Sequence, residues 1–139
     1  MSIVLTNLSK RFGNVLVVNN LSVQINDGEL FVLLGASGSG KSTVLRMIAG
    51  LTRPDHGTVE LNKKDVTTLP PQSRGTGFVF QNYSLFRHMT VSENIEFGLR
   101  IRRVSGTQRR QRLDELLDLV GLAGLGNRFA HQLSGGQQQ

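Results

Sequence analysis

Gly35, Gly40, Lys41 and Ser42 stand at the spacing G-x-x-x-x-G-K-[ST], inside the run Gly35-Ala36-Ser37-Gly38-Ser39-Gly40-Lys41-Ser42-Thr43. These residue types suit one task, the holding of clustered phosphate oxygens. Glycines at 35, 38 and 40 reach backbone conformations closed to other residues, so successive N–H groups can turn inward toward an anion. A helix starting near Lys41 would add free N–H donors and the positive end of its dipole. Lys41 then acts as a point charge bridging the β- and γ-phosphates of a nucleoside triphosphate. The Ser42 hydroxyl becomes a ligand for Mg²⁺, Thr43 supports the α-phosphate end, and Ser37 belongs to the same binding loop. Such a combination arises by chance in well under roughly one per cent of chains this long. The dinucleotide pattern G-x-G-x-x-G does not fit, because Gly38 and Gly40 are followed by Thr43.

A phosphate loop needs a strand before it and a helix after it. Residues 29–34, Glu-Leu-Phe-Val-Leu-Leu, form a short apolar run that predicts a buried strand. Val44, Leu45, Met47, Ile48 and Leu51 predict an apolar helical face, with Gly50 at the helix end and Pro54 shortly after. Further strands are predicted over residues 2–8, 21–25, 58–61 and 77–80, with turns at residues 10–14, 26–28 and 55–57 and a loop at Pro70-Pro71. From residue 90 the pattern turns helical. Thr90 and Glu93 predict a capping box opening a helix that carries Val91, Ile95 and Leu99. Leu113, Leu116, Leu117 and Val120 predict a second helix ending at Gly121. The sum is an α/β core with a helical insertion.

The whole chain bounds the rest. Its 139 residues suggest one domain with a real core, and its 38% hydrophobic and 19% charged content suits a soluble globular protein. Without cysteine there is neither disulfide nor thiolate metal site, and His56, His88 and His131 lie too far apart for ligand-like spacing. No apolar run is long enough to span a bilayer, and no secretion signal opens the chain, so a cytoplasmic location is expected. The formal net charge of +6 is partly concentrated in Arg100, Arg102, Arg103, Arg109, Arg110 and Arg112. Such a cluster could bind nucleic acid or anionic lipid. No stacking aromatics lie between these arginines, and a solvated face is the expected role, with no nucleic-acid partner.

A second motif, Leu133-Ser134-Gly135-Gly136-Gln137, comes near the end. By itself it is a polar glycine turn before a helix. Ser134 can cap that helix, and Gly135 and Gly136 let backbone N–H groups approach an anion.

Residues 35–43, Gln81 and residues 133–137, in that order and at these separations, resemble the ATPase subunits of ABC transporters; residues 133–137 match the signature motif of that family. The resemblance covers essentially the whole chain. It implies a P-loop NTPase core of the RecA-like kind, with N-terminal antiparallel strands (residues 1–88 with the loop) and a helical subdomain (residues 89–139) reaching the signature. It implies ATP and Mg²⁺ as cofactors. Phe12 matches the aromatic that stacks on adenine, although many relatives carry Tyr there. Gln81 matches the glutamine that helps hold Mg²⁺ and the attacking water, which makes it catalytic alongside Lys41. Ser134, Gly135, Gly136 and Gln137 match residues facing ATP on the opposite subunit of a head-to-tail dimer. Implied partners are that second ATPase subunit and two membrane permease subunits, contacted through residues 81–90 at the cytoplasmic face of the inner membrane. The stretch around Phe78-Val79-Phe80-Gln81 and residues 85–91 is similar to importers of sulfate and thiosulfate.

In the family an apolar strand ending in Asp-Glu and a later His follow the signature, and neither is present in residues 1–139. The expectation is a piece of a longer ATPase, with the C-terminal part of the fold absent, able to bind ATP at best by itself. A non-hydrolysing regulatory module, or an importer ATPase for sugar, iron, polyamine or molybdate, is the alternative. A P-loop small-molecule kinase would leave residues 133–137 unexplained.

Overall fold

A computed structural model describes all residues, 1–139. It divides into two units, Met1–Phe78 and Val79–Gln139.

The first unit is built on a four-stranded antiparallel sheet in the order β2-β1-β3-β4, with β1 Ile3–Phe12, β2 Val15–Ile25, β3 His56–Leu61 and β4 Lys64–Asp65. β1 and β2 form a hairpin closed by Gly13 and Asn14, with Phe12 opposite Val15. The predicted turn at residues 10–14 is therefore shorter than expected. Lys10, Arg11 and Phe12 belong to β1, held there by Val18, Leu16 and Val15 across the ladder. Strand β3 likewise starts at His56, one residue into the predicted turn.

Strict alternation would not put both Leu5 and Leu8 in the core, since they are three residues apart. The pairing register slips between them, and Asn7, at φ 51°, supplies the bulge that returns Leu8 to the inner face. The Asn7 N–H donates to Ser22 Oγ at 2.8 Å and the Asn20 N–H to Ser9 Oγ at 2.9 Å, so side chains replace ladder bonds lost at the irregularities. Leu5, Leu8, Val18, Val59, Leu61 and Val66 from the sheet side meet Val44 and Met47 of helix α1, Lys41–Ala49.

Two predicted strands are not formed. Residues 29–34 and 77–80 are paired with no strand. Leu30 and Leu34 are 91% and 88% exposed, and Val79 is 93% exposed. An apolar run states a preference for burial, but a strand exists only where a neighbour accepts its backbone hydrogen bonds. Of the first run, Leu33 alone packs on the core. An open apolar cavity of ≈ 660 Å³ lies there, walled by Ile3, Leu5, Val23, Ile25, Val44 and Ile48.

The second unit is helical. α2, Val91–Ile101, begins with the predicted capping box: the Thr90 hydroxyl accepts the Glu93 N–H, and the Glu93 carboxylate accepts the Thr90 N–H at 2.8 Å. Those bonds hold the Glu93 carboxyl below its usual range. α3, Gly106–Leu119, buries Leu117, which joins Val91, Leu122 and Leu133 in a small core. Val120 of the predicted stripe is 57% exposed, because the helix has already ended at Leu119. Arg100 pairs with Glu96 and Arg112 with Glu115. A four-residue helix α4, Gly135–Gln138, follows a 3₁₀ turn at Ala130–Gln132.

One buried cation holds the first unit together. Arg74 is 8% exposed and donates to four carbonyls: Leu69 at 2.9 Å, Met47 at 2.8 Å, Ile48 at 2.9 Å and Thr67 at 3.1 Å. Met47 and Ile48 lie in the last turn of α1, where unpaired carbonyls and the negative dipole end favour a cation. Burial lowers the Arg74 pKa, and the charge of Asp65 opposes that shift. R74M should lower unfolding stability by about 3 kcal/mol, because it strands buried carbonyls, while R74K, which keeps the charge and loses the fork, should fall between. Equal urea midpoints for R74M and the wild type would show that the guanidinium holds nothing.

Candidate phosphate-binding site

The loop at residues 35–40 is a folded structure rather than a slack tether. Gly35, Gly38 and Gly40 have φ of 154°, 82° and 89°. Gly40 is the buried N-cap of α1, and its carbonyl accepts the Val44 N–H at 2.9 Å. A Cβ on Gly40 would stand 2.7 Å from the Val17 carbonyl of β2 and 3.3 Å from Val18 Cγ2. A glycine is required there for two reasons, the backbone angle and the strand pressed against it. Gly35 is similarly crowded, since its Cβ would meet Ser39 Oγ at 2.8 Å.

Lys41 folds back over this loop. Its ammonium donates to the Gly35 and Ala36 carbonyls, each at 2.7 Å, and to Ser39 Oγ at 3.2 Å. Its charge is therefore held above the loop by exchangeable acceptors. The N–H of Ser39 bonds the Ala36 carbonyl at 3.2 Å, whereas the N–H groups of Gly38, Gly40, Lys41, Ser42 and Thr43 have no acceptor in the chain. Five unpaired donors beside one ammonium fit a ligand with several anionic oxygens. The Ser42 hydroxyl is exposed at the helix start, where a metal bound to such a ligand can be reached.

Phe12 ends β1 and is 50% exposed. It pairs with Val15, two residues before the Val17 that abuts Gly40. At about 3.4 Å per strand residue, hairpin geometry sets this aromatic about 7 Å along the sheet from the loop's contact. Lys10 and Asp55 adjoin it. Lys10 Nζ lies 2.8 Å from Asp55 Oδ1, and the Arg11 N–H donates to Asp55 Oδ2 at 2.7 Å. The hydrogen bond from Lys10, then that from Arg11, lowers the Asp55 pKa. Reading the sequence did not single out Asp55, Lys10 or Arg74. Lys10 and Asp55 are 45 residues apart, and no spacing rule joins them.

Gln81 and the signature residues fall in the second unit. Gln81 is exposed in a turn. The Ser134 hydroxyl accepts the Gln137 N–H at 3.4 Å and Gln137 Oε1 accepts the Ser134 N–H at 3.0 Å, so Ser134 caps α4. Gly135 and Gly136 are exposed. No group of three or more His, Asp or Glu is placed to hold a metal, and no helix is long and apolar enough to cross a membrane.

Residues 18–139 match the family described as ABC transporter. The chain belongs to the ABC transporter family. Among its relatives are proteins named sulfate/thiosulfate import ATP-binding protein CysA, 50% identical over 139 residues in Synechocystis sp. and 51% in Mesostigma viride. A third, from Thermosynechococcus vestitus, is 52% identical over the same length. All of this chain aligns in each case, yet it spans only 39%, 40% and 41% of those relatives. A solved dimeric structure, a post-hydrolysis state of the ATP-binding cassette MJ0796 bound to ADP and Pi, superposes with a TM-score of 0.85 at 34% identity, covering 98% of this chain and 65% of the other. The fold is accordingly the α/β P-loop NTPase fold of ABC ATPases, with an antiparallel N-terminal sheet, and ABC-family membership implies nucleotide binding.

The crowding around Gly40 has a measurable consequence. G38A places a Cβ in open space and should cost about 1 kcal/mol of backbone strain, whereas G40A must also push β2 aside and should cost distinctly more, about 2–3 kcal/mol. Equal losses in thermal unfolding would mean that the loop does not rest on β2.

Proposed function

We propose that this chain is the ATP-binding, energy-coupling part of an ABC importer that takes up sulfate or thiosulfate. The observation that carries the reading is the loop itself: unpaired N–H groups at the start of α1 under a lysine ammonium. Relatives of about half identical sequence named for sulfate and thiosulfate import support the choice of solute.

In this reading the backbone N–H groups of Gly38, Gly40, Lys41, Ser42 and Thr43, with Ser37 beside them, grip the triphosphate. Lys41 exchanges its carbonyl acceptors for β- and γ-phosphate oxygens and holds them in line for transfer. Mg²⁺, held through the Ser42 hydroxyl, supplies charge neutralisation at the phosphates. Phe12 offers its exposed ring to adenine. Gln81 keeps the role the family resemblance gives it toward metal and water. Ser134, Gly135, Gly136 and Gln137 face nucleotide held by a second ATPase subunit, and residues 81–90 meet the permease pair at the cytoplasmic face of the membrane. Residues 1–88 then form the core part and residues 89–139 the helical part of one nucleotide-binding domain.

K41A should weaken ATP binding about 100-fold or more in calorimetry, since the phosphates lose their adjacent point charge. Unchanged affinity would refute the loop assignment. The solute is tested by uptake of isotope-labelled sulfate in cells lacking their own sulfate importer ATPase and given the full-length gene. Restored uptake that excess thiosulfate suppresses is expected, and no uptake would reject the oxyanion.

A further inference from the structure

We propose that Asp55 is the positioning residue for Phe12, holding the end of β1 so that one face of the aromatic ring is presented to the nucleotide base. The proposal rests on the nucleotide-binding reading above.

The ladder shows why such a device is needed. β1 pairs with β2 as far as Phe12, but its pairing with β3 ends at Ser9 opposite His56. Lys10, Arg11 and Phe12 therefore run beyond the last β3 partner, with one edge open. A hairpin end secured on one edge frays easily, and a ring on it would sample many directions. Asp55, the residue just before β3, supplies the missing edge. Its own N–H donates to the Ser9 carbonyl at 2.9 Å, which fixes its backbone to β1. Its carboxylate then accepts the Arg11 N–H, in place of a further ladder carbonyl, and the Lys10 ammonium.

The second bond reaches the ring. Lys10 and Phe12 are two apart on a strand and share a face. With its ammonium drawn to Asp55, Lys10 places Nζ over the Phe12 ring, 5.4 Å from the centroid. A cation at that distance is attracted to the ring's quadrupole and covers one side of it. The Lys10 side chain is only 15% exposed while Phe12 remains 50% exposed, so the open side of the ring is what a base can stack on. Asp55 acts on the base through Lys10 and Arg11, without touching it.

The test separates the base from the phosphates. Calorimetry on the chain uses Mg²⁺-ATP and, as a probe with no base, Mg²⁺-tripolyphosphate. F12A should lose about 5- to 150-fold in ATP affinity, the range of base stacking on an aromatic, and keep its tripolyphosphate affinity. D55N should lose about fivefold for ATP, keep tripolyphosphate within about twofold, and add nothing in the F12A background. K10M, which reads the same clamp from its other end, should behave like D55N and stands in for it if D55N fails to fold. A D55N or K10M protein with wild-type ATP affinity overturns the proposal and leaves the nucleotide reading intact. So does an equal loss for both ligands, or an undiminished loss in the F12A background, since either marks a general structural role. A wild-type chain that binds neither ligand removes the nucleotide reading and this proposal together.

Discussion

Helix α1 is held at both ends, and a phosphate grip at its start depends on that. At nine residues it is too short to persist on its own. Its stability comes from Val44 and Met47 in the core, from Gly40 wedged against Val17 at one end, and from the Arg74 guanidinium across its last carbonyls at the other. The two ends are electrically matched. Anionic oxygens favour the N-terminus, where N–H groups stand unpaired, and a cation satisfies the C-terminus. A helix free to tilt or fray would spread those donors, and a polyphosphate would then have to order them at its own cost in affinity.

The sheet beside the helix is regular only where the core demands it. Leu5 and Leu8 both reach the interior because a bulge at Asn7 re-phases β1, and serine hydroxyls take up the N–H groups the bulge and its partner irregularity leave over. Gly57, at φ 85°, lets β3 press on the same place: a Cβ there would lie 2.3 Å from the Thr6 carbonyl. The pairing of β1 with β3 ends at Ser9 opposite His56, with one more backbone bond from the Asp55 N–H to the Ser9 carbonyl. The Asp55 carboxylate continues the edge as far as Arg11. On its β3 edge, the strand that carries Phe12 is thus supported first by a ladder and then by a single ion-bearing side chain, while β2 pairs with it as far as Phe12.

In the second unit, local chemistry does more of the organising. Two capping boxes, Thr90 with Glu93 and Ser134 with Gln137, start helices, and Thr90 is also bridged to Phe129. The Val91 N–H donates to the Arg128 carbonyl at 2.8 Å, and the Ser92 N–H to that of Gly126 at 2.9 Å, which docks residues 126–128 on the opening turn of α2. Gly126 allows this approach, since a Cβ would meet Ser92 Oγ at 2.4 Å. Two arginines of the basic cluster are paired within their own helices, Arg100 of α2 with Glu96 four residues away and Arg112 of α3 with Glu115 three residues away.

What the sequence by itself determined follows from short-range rules. The phosphate loop, the capping of α2 by Thr90, the end of α1 at Gly50 and the cap at Ser134 are set by residues within a few positions of one another, where geometry allows few alternatives. Periodicity also located β3 to within two residues, but only the C-terminal parts of β2 and α3, missing Val15–Asn20 of the strand and the first turns of the helix from Gly106. Only the tertiary structure decided which apolar runs became strands. Residues 29–34 read as a strand as strongly as any in the chain, and no strand pairs with them. The tertiary structure alone also brought Arg74 to the carbonyls of Met47 and Ile48, and Asp55 to Lys10. Those contacts join residues 26 to 45 positions apart. Such pairings depend on how the sheet and α1 pack, and burial, not spacing, turns an arginine in a loop into the clamp on the helix that begins at Lys41.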